Sequence, residues 1–165
     1  MKTLTLVRHA KSSWNHPRLT DFERPLNKRG RRDAPRMGCR LAAQHLRPQI
    51  IVSSPAVRAL TTAEVIALEL GYQAEQIIPD NRIYHAYSGQ LLDVIRDFDT
   101  SLHHLMLVGH NPGLTDLVDR LAHAGISNIP TCGIVVLGFS VDRWRDVSDG
   151  ASEMLLFDYP KNIPE

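Results

Sequence analysis

Hydrophobic residues along the chain fall into short runs separated by longer segments of mixed character. Four runs are rich in β-branched or large aliphatic residues and end at turn-forming residues, as buried strands do: residues 3–7, 50–52, 105–108 and 134–139. Helical spacing of apolar residues predicts helices at residues 27–46, 55–70, 88–98 and 112–122, and a weaker strand is predicted at 76–78. This alternation predicts an α/β three-layer sandwich in which helices flank a mostly parallel central sheet.

The end of the chain breaks the alternation. Residues 134–139 and 153–157 form two consecutive strand patterns joined by a loop, which predicts an antiparallel pair at one edge of the sheet. A length of 165 residues with 43% hydrophobic residues suffices for one buried core. We therefore expect a single domain over residues 1–165.

The charge balance limits the classes of partner. Nineteen Lys and Arg residues against eighteen Asp and Glu give a formal charge of +1, so no overall field favours nucleic acid or an anionic membrane. Arg8 and His9 interrupt the first apolar run, and no run approaches the ~20 apolar residues of a membrane span. Two cysteines, Cys39 and Cys132, are too few for a disulfide framework. A cytoplasmic protein with neither nucleic-acid nor membrane partners is expected.

The predicted helix at 27–46 is strongly basic. Its cationic residues are Lys28, Arg29, Arg31, Arg32, Arg36 and Arg40. Such a run is usually a solvated helix face, and the alternative is a docking surface for an acidic partner.

Polar residues at the ends of three predicted strands suggest one shared site. Arg8 and His9 end the first strand, His110 follows the run at 105–108, and Ser53-Ser54-Pro55 follows the run at 50–52. The carboxyl ends of parallel strands meet at one edge of the sheet, where α/β proteins bind ligands. Ser54-Pro55 and Asn111-Pro112 each predict an N-cap followed by proline at the first helical position. Two helix N-termini, which favour anions, are therefore expected at this edge.

Two arginines strengthen the prediction of an anion site. Arg58 falls in the first turn of its predicted helix, where a cation opposes the helix dipole unless an anion is bound nearby. The guanidinium of Arg8 matches the geometry of phosphate oxygens.

A single histidine at a strand end is usually an ordinary polar residue, so the prediction depends on the joint placement of Arg8, His9, Arg58 and His110. His103 and His104 are predicted to form an exposed turn.

Other kinds of catalytic site have less support. The neighbours of His9 and His110 include no carboxylate at ligand spacing, and the arginines would repel a divalent cation. The chain also lacks a Gly-x-Ser-x-Gly turn, a Walker loop and a dinucleotide-binding glycine pattern. Neither a metal nor another cofactor is expected.

The same motifs resemble a known family. Val7-Arg8-His9-Ala10, Ser53-Ser54-Pro55 with Arg58, and the segment from Val108 to Gly113 occur in the order typical of the histidine phosphatase superfamily, which has the phosphoglycerate-mutase-like fold. Arg24-Pro25-Leu26 and Thr131-Cys132-Gly133 resemble the SixA-type phosphohistidine phosphatases within it. The resemblance spans roughly residues 3–137, and Ala10 departs from the glycine usual after Arg-His.

The resemblance implies roles for individual residues. His9 would be the nucleophile, phosphorylated transiently on a ring nitrogen, while Arg8, Arg58 and His110 would hold the non-bridging oxygens of the phosphoryl group. This agrees with phosphoryl transfer as a reaction catalysed mainly by positioning and charge stabilisation. Further candidates for substrate binding are Asp21, Glu23, Arg24, Ser54, His85, Asn111 and Thr131.

The general acid is harder to assign. Family members that act on small molecules usually carry a glutamate shortly after the third strand, but residues 82–87 contain no carboxylate. His85, Asp21 and Glu23 are the alternatives. Phosphohistidine releases imidazole, with a pKa near 6.5, and needs a proton donor less than an alkoxide does. The segment before Leu105 has room for one helix and no large lid.

These observations favour a phosphorylated protein, carrying phosphohistidine, as the substrate. One alternative is a phosphatase or mutase acting on a small phosphorylated metabolite. Another, of a different class, is a catalytically inactive phosphate-binding or adaptor protein.

Overall fold

The computed structural model describes residues 1–162 and contains six strands and four α-helices in that range. The strands are β1 (Lys2–Arg8), β2 (Ile50–Ser53), β3 (Ile77–Pro79), β4 (His104–Gly109), β5 (Ile134–Phe139) and β6 (Ser152–Asp158). The helices are α1 (Lys28–Ala43), α2 (Val57–Glu69), α3 (Ser88–Arg96) and α4 (Gly113–Ala122). No helix among the described residues is both long and apolar enough to cross a membrane.

The strands form one sheet in the order β3-β2-β4-β1-β5-β6. The first four strands of that order are parallel to one another, whereas β5 is antiparallel to both β1 and β6. The mostly parallel sheet and the antiparallel pair at one edge are thus confirmed.

Two hydrophobic clusters cover the two faces of the sheet. On β4, Leu105 and Leu107 belong to one cluster and Met106 and Val108 to the other, as expected from the alternation of side chains along a strand. The first cluster contains the buried faces of α3 and α4, and the second contains those of α1 and α2. Helix pairs on opposite faces complete the expected three layers.

The predicted starts of two helices are wrong by one or two positions. Helix α2 begins at Val57 with Ala56 at its N-cap, and α4 begins at Gly113 with Pro112 at its N-cap. The Ser54 hydroxyl instead accepts a hydrogen bond from the Ala56 amide in the turn before α2. Arg58 nevertheless lies in the first turn, as predicted.

The prediction that His104 lies in an exposed turn is also wrong. His104 is the first residue of β4, is half-buried, and its Nε2 lies 2.7 Å from Thr5 Oγ1. The strand starts one residue earlier than the apolar run because its pairing with β1 extends to Thr3 and His104. His103 is exposed.

Candidate active site

Residues from three neighbouring strands meet at the carboxyl edge of the parallel sheet. His9 follows β1, His110 follows β4, and Ser54 follows β2. The amides of His9 and Ser54 donate to the carbonyls of Gly109 and Val108, each at 3.0 Å, so the backbone pairing continues past the strand ends. The rings of His9 and His110 are 5.1 Å apart.

A cavity of about 260 Å³ opens at this edge. Its walls are formed mainly by polar and cationic residues: Arg8, His9, Lys11, Ser12, Trp14, Arg24, Arg58, His85, His110, Asn111 and Thr131. These wall residues include no carboxylate. The electrostatic character of the cavity suits an anion.

His9 is held in a defined tautomer. Its side chain is buried, and Nδ1 lies 2.8 Å from the carbonyl oxygen of Ala10. A carbonyl only accepts hydrogen bonds, so Nδ1 carries the proton and Nε2 keeps its lone pair. Burial, together with the charges of Arg58 and Arg8, lowers the pKa of His9 to about 4. The imidazole is therefore neutral near pH 7, with Nε2 available as a nucleophile.

The ring of His110 is positioned by a hydrogen bond with the Ser54 side chain. The Nε2 atom of His110 lies 2.7 Å from Ser54 Oγ, and both side chains are buried. Burial and the nearby charges of His9 and Arg58 lower the pKa of His110 to about 3. Ser54 lies behind the cavity wall, so its contact with His110 gives it a positioning role.

Arg8 and Arg58 each bind other protein groups and keep a further N–H donor for a ligand. Arg8 donates to the carbonyl of Ile129 at 2.8 Å, and Arg58 donates to the carbonyl and carboxylate of Asp21 at 2.7 and 3.0 Å. Within residues 1–162, Arg8 Nε, Arg58 Nε and His110 Nδ1 are buried without a hydrogen-bond partner. Buried polar atoms are normally paired, so a ligand with several acceptor oxygens would satisfy this arrangement.

Asp21 connects several cationic and polar side chains. Tyr84 Oη donates to its carboxylate at 2.6 Å, Arg24 Nε donates at 3.2 Å, and His85 Nε2 lies 3.3 Å away. Desolvation would raise the pKa of Asp21, but hydrogen bonds from Tyr84 and Arg58 outweigh it and hold the pKa well below its usual range. Asp21 is thus ionised near pH 7 and unsuited to donate a proton, although it positions Arg58 and Arg24.

The other two candidate acids differ in placement. The exposed Glu23 carboxylate accepts hydrogen bonds from the Thr20 amide and hydroxyl at 3.1 and 2.9 Å, and Glu23 is not part of the cavity wall. His85 does line the cavity, and its ring is 6.2 Å from that of His110. Among the three alternatives, only His85 has the position that a proton donor requires.

The cavity includes the predicted residues Arg24, Asn111 and Thr131 and three residues that were not predicted: Lys11, Ser12 and Trp14. Trp14 is 73% exposed, and the guanidinium carbon of Arg24 lies 3.5 Å from the centroid of its ring. The signal for these residues was their position directly after Arg8-His9, since a chain leaving β1 must first pass this edge. The described residues contain no cluster of three or more His, Cys, Asp or Glu side chains that could hold a metal ion.

Comparison with known sequences identifies the family. The profile of the histidine phosphatase superfamily, branch 1, matches residues 4–91, and the chain belongs to this superfamily. An uncharacterised chloroplastic protein of Arabidopsis thaliana is 31% identical over 153 residues, which cover 88% of this chain and 70% of that protein. The class of activity is that of a phosphatase.

Solved structures agree with this assignment. SixA from Agrobacterium tumefaciens is 29% identical, with a TM-score of 0.81 and coverage of 96% of this chain and 98% of that chain. A protein histidine phosphatase SixA complexed with tungstate is 17% identical, with a TM-score of 0.82 and coverage of 97% and 98%. At that lower identity, the similarity shows the fold alone.

Proposed function

We propose that the protein hydrolyses phosphohistidine on a protein substrate through a phosphoenzyme intermediate at His9. The observation that carries this proposal is the neutral His9, whose Nε2 lone pair is available in a cavity lined by three arginines and no carboxylate. A neutral imidazole is a competent nucleophile, and guanidinium groups stabilise the charge of a phosphoryl group in transfer.

The reaction would proceed in two displacements. In the first, His9 Nε2 forms a bond to phosphorus while the bond from phosphorus to the substrate imidazole breaks, and that imidazole takes a proton from solvent or from His85. In the second, water attacks the phosphorus of phospho-His9, which releases inorganic phosphate and restores the neutral imidazole. Arg8, Arg58 and His110 would hold the phosphoryl oxygens through both steps.

Phosphohistidine is the favoured substrate because its leaving group needs little protonation. Imidazole has a pKa near 6.5, so its departure needs little protonation at neutral pH, whereas an alkoxide needs a strong donor. The ionised Asp21 does not provide one, and Glu23 lies off the cavity wall. These features support a phosphoramidate substrate over an alkyl phosphate.

A phosphatase acting on a small metabolite is the second candidate. Lys11 and Arg24 line the cavity in addition to the groups proposed to hold the phosphoryl oxygens. Two further cations could bind a second anionic group of a compact substrate.

The nucleophile can be tested by rapid quench with ³²P-labelled phosphoimidazole. We expect an acid-labile, base-stable adduct on His9 that is absent from His9→Ala, with turnover reduced by roughly 10³-fold or more. The exposed His16→Ala variant is the matched control and should label like the wild type. Label on Ser54 instead of His9 would contradict the mechanism, because another nucleophile would then carry the reaction. A wild type that shows neither label nor turnover would also contradict it and would favour the phosphate-binding alternative.

Substrate choice can be tested with substrates that differ in leaving-group pKa. Phosphoramidates and aryl phosphates should react faster than phosphoserine or phosphoglycerates, by up to the ~10²–10⁴-fold that a general acid typically contributes. His85→Gln should slow alkyl phosphates more than aryl phosphates, and Glu23→Gln, the matched control, should change neither. Phosphoglycerates among the best substrates would instead support the metabolite phosphatase.

A further inference from the structure

A second cavity, of about 750 Å³, lies between the segment after β1 and the first turns of α1. Its lining residues, Asn15, Asn27, Lys28, Arg29 and Arg32, define what we call the basic groove. Three of the five are cationic and none is acidic. The sequence left open whether this basic helix face is merely solvated or is a docking surface, and the structure adds two observations that bear on this choice.

The first observation is that the positive charge of the basic groove exceeds the negative charge that the fold places beside it. The first turn of α1 contains no acidic residue, and cations at a helix N-terminus oppose the helix dipole. One buried carboxylate, Asp33, lies 3.4 Å from both Arg29 Nε and Arg32 Nε. Lys28 is exposed and has no ion-pair partner within residues 1–162. Positive charge is therefore in excess here and available to an external anion.

The second observation is that the basic groove adjoins the active-site cavity. Trp14 lines the cavity, and the next residue, Asn15, lines the groove. The carbonyl of Lys11, another cavity residue, accepts a hydrogen bond from the Asn27 amide at 2.9 Å. A polypeptide that places a phosphorylated side chain in the cavity can therefore extend its flanking residues over the groove.

We propose that the basic groove docks an acidic segment flanking the phosphohistidine of the protein substrate. This inference rests on the proposed function, because the cavity must take the phosphorylated side chain. An acidic polypeptide is favoured over nucleic acid, since the formal charge of the whole chain is only +1 and the excess is confined to a patch beside the cavity.

Two synthetic phosphohistidine peptides provide the test. They differ only in their flanking residues, which are Asp and Glu in one and Asn and Gln in the other. At low ionic strength the wild type should hydrolyse the acidic peptide with a kcat/KM at least about tenfold higher, and added salt should reduce the difference. Equal kcat/KM values at low salt would overturn the proposal.

Reversing the charge of groove residues tests whether the groove causes the preference for the acidic peptide. Lys28→Glu/Arg32→Glu should lose the preference and keep wild-type turnover of phosphoimidazole, which is too small to reach the groove. Arg145→Glu is the matched control and should keep the preference. This exposed cation follows Trp144, which packs against Lys2 at the amino end of β1, whereas the groove lies beyond the carboxyl end of that strand. A preference that survives in the double variant would exclude the groove. Thermal melting should show the double variant folded, because Arg29 still lies 3.4 Å from the Asp33 carboxylate and acidic residues complement a helix N-terminus.

Failure of the two proposals can be distinguished. Turnover of both peptides without preference refutes docking and leaves the proposed function standing. With no turnover of either peptide or of phosphoimidazole, the proposed function fails. Docking is then judged by fluorescence anisotropy of the acidic peptide carrying unmodified histidine. Salt-sensitive binding that the double variant loses would support docking, and tighter binding of single-stranded DNA would overturn it.

Discussion

His9 keeps one nitrogen available although it is buried among cations, because the carbonyl of Ala10 binds the proton on the other. A neighbouring carbonyl oxygen is enough to select the tautomer, whereas burial and the charges of Arg58 and Arg8 suppress protonation. Two separate physical causes thus keep the His9 imidazole neutral near pH 7 with Nε2 unprotonated.

Imidazole NMR of the free protein tests this description of His9. We expect the Nδ1-protonated tautomer at pH 7 and a titration midpoint at about 4, because burial disfavours the imidazolium. Specific ¹⁵N labelling of histidine with long-range ¹H–¹⁵N correlation measures both, and His9→Gln identifies the signal. A midpoint near 6.5 or an Nε2-protonated ring would contradict the assignment.

Arg58, which we propose holds the phosphoryl group, also has a structural contact with Asp21. A cation in the first turn of a helix opposes the helix dipole, but the buried guanidinium of Arg58 donates two hydrogen bonds to Asp21. Arg58→Ala should therefore lower the free energy of unfolding by about 1–2 kcal/mol, with Asp21 partly rehydrated. Vanadate should stabilise this variant less than the wild type, as a ligand specific to the native state would.

Urea denaturation with and without vanadate measures both effects. Tyr84→Phe is the matched control, because it removes another hydrogen bond to Asp21 without removing a cation. It should lose stability but retain the response to vanadate. Equal stabilisation of Arg58→Ala and wild type by vanadate would remove Arg58 from the anion site.

At the scale of elements, the start of α4 supports the loop that carries His85. A Cβ atom on Gly113 would lie 2.1 Å from the carbonyl oxygen of Ala86, so the helix and this loop meet backbone to backbone. Only glycine allows so close an approach. The position of His85 at the cavity thus depends on a residue of another element.

Paired glycine substitutions test this contact. Gly113→Ala should destabilise the protein by about 1–3 kcal/mol and reduce activity, because the loop must move away from α4. Gly89→Ala, on α3, is the matched control, since its added Cβ would lie no closer than 3.7 Å to another group. It should raise stability by up to about 1 kcal/mol through helix propensity. Thermal unfolding and aryl phosphate turnover measure the outcome, and a neutral Gly113→Ala would refute the close contact.

At the scale of the whole molecule, buried neutral histidines make stability depend on pH. The folded-state pKa values of His9 and His110, about 4 and about 3, lie below the unfolded value of about 6.5. The unfolded chain therefore binds more protons between these values. The stability is fully present above about pH 6.5 and is lost as the pH falls, down to about pH 4 for His9 and about pH 3 for His110.

Denaturation in urea at pH 7 and pH 5 measures this loss. Each of the two histidines should account for about 2 kcal/mol between these pH values. His110→Gln should show a smaller difference between pH 7 and pH 5, whereas His16→Gln, a control at an exposed position, should behave like the wild type. An unchanged dependence in His110→Gln would show that His110 is not held neutral in the fold.

The pattern of the sequence by itself determined the architecture and the edge of the sheet at which the candidate site residues meet. Apolar runs at strand and helix periodicity specify which faces must be buried, and the parallel strands then bring Arg8-His9 and His110 to one edge. The family motifs lie in those same segments. These features depend on local spacing and on burial, both of which can be derived from a single sequence.

Only the tertiary structure decided which candidate residues reach the cavity. Asp21 binds Arg58 and Tyr84, which lie 37 and 63 residues further along the chain. Glu23 is only two positions from Asp21, but its carboxylate accepts a hydrogen bond from the nearby Thr20 amide instead. The tautomer of His9 likewise follows from the geometry of the folded chain, as do the nitrogens of Arg8 and Arg58 that lack a hydrogen-bond partner among residues 1–162. Such contacts depend on how separate loops pack together, because hydrogen bonds require distances and angles that the order of residues alone does not contain.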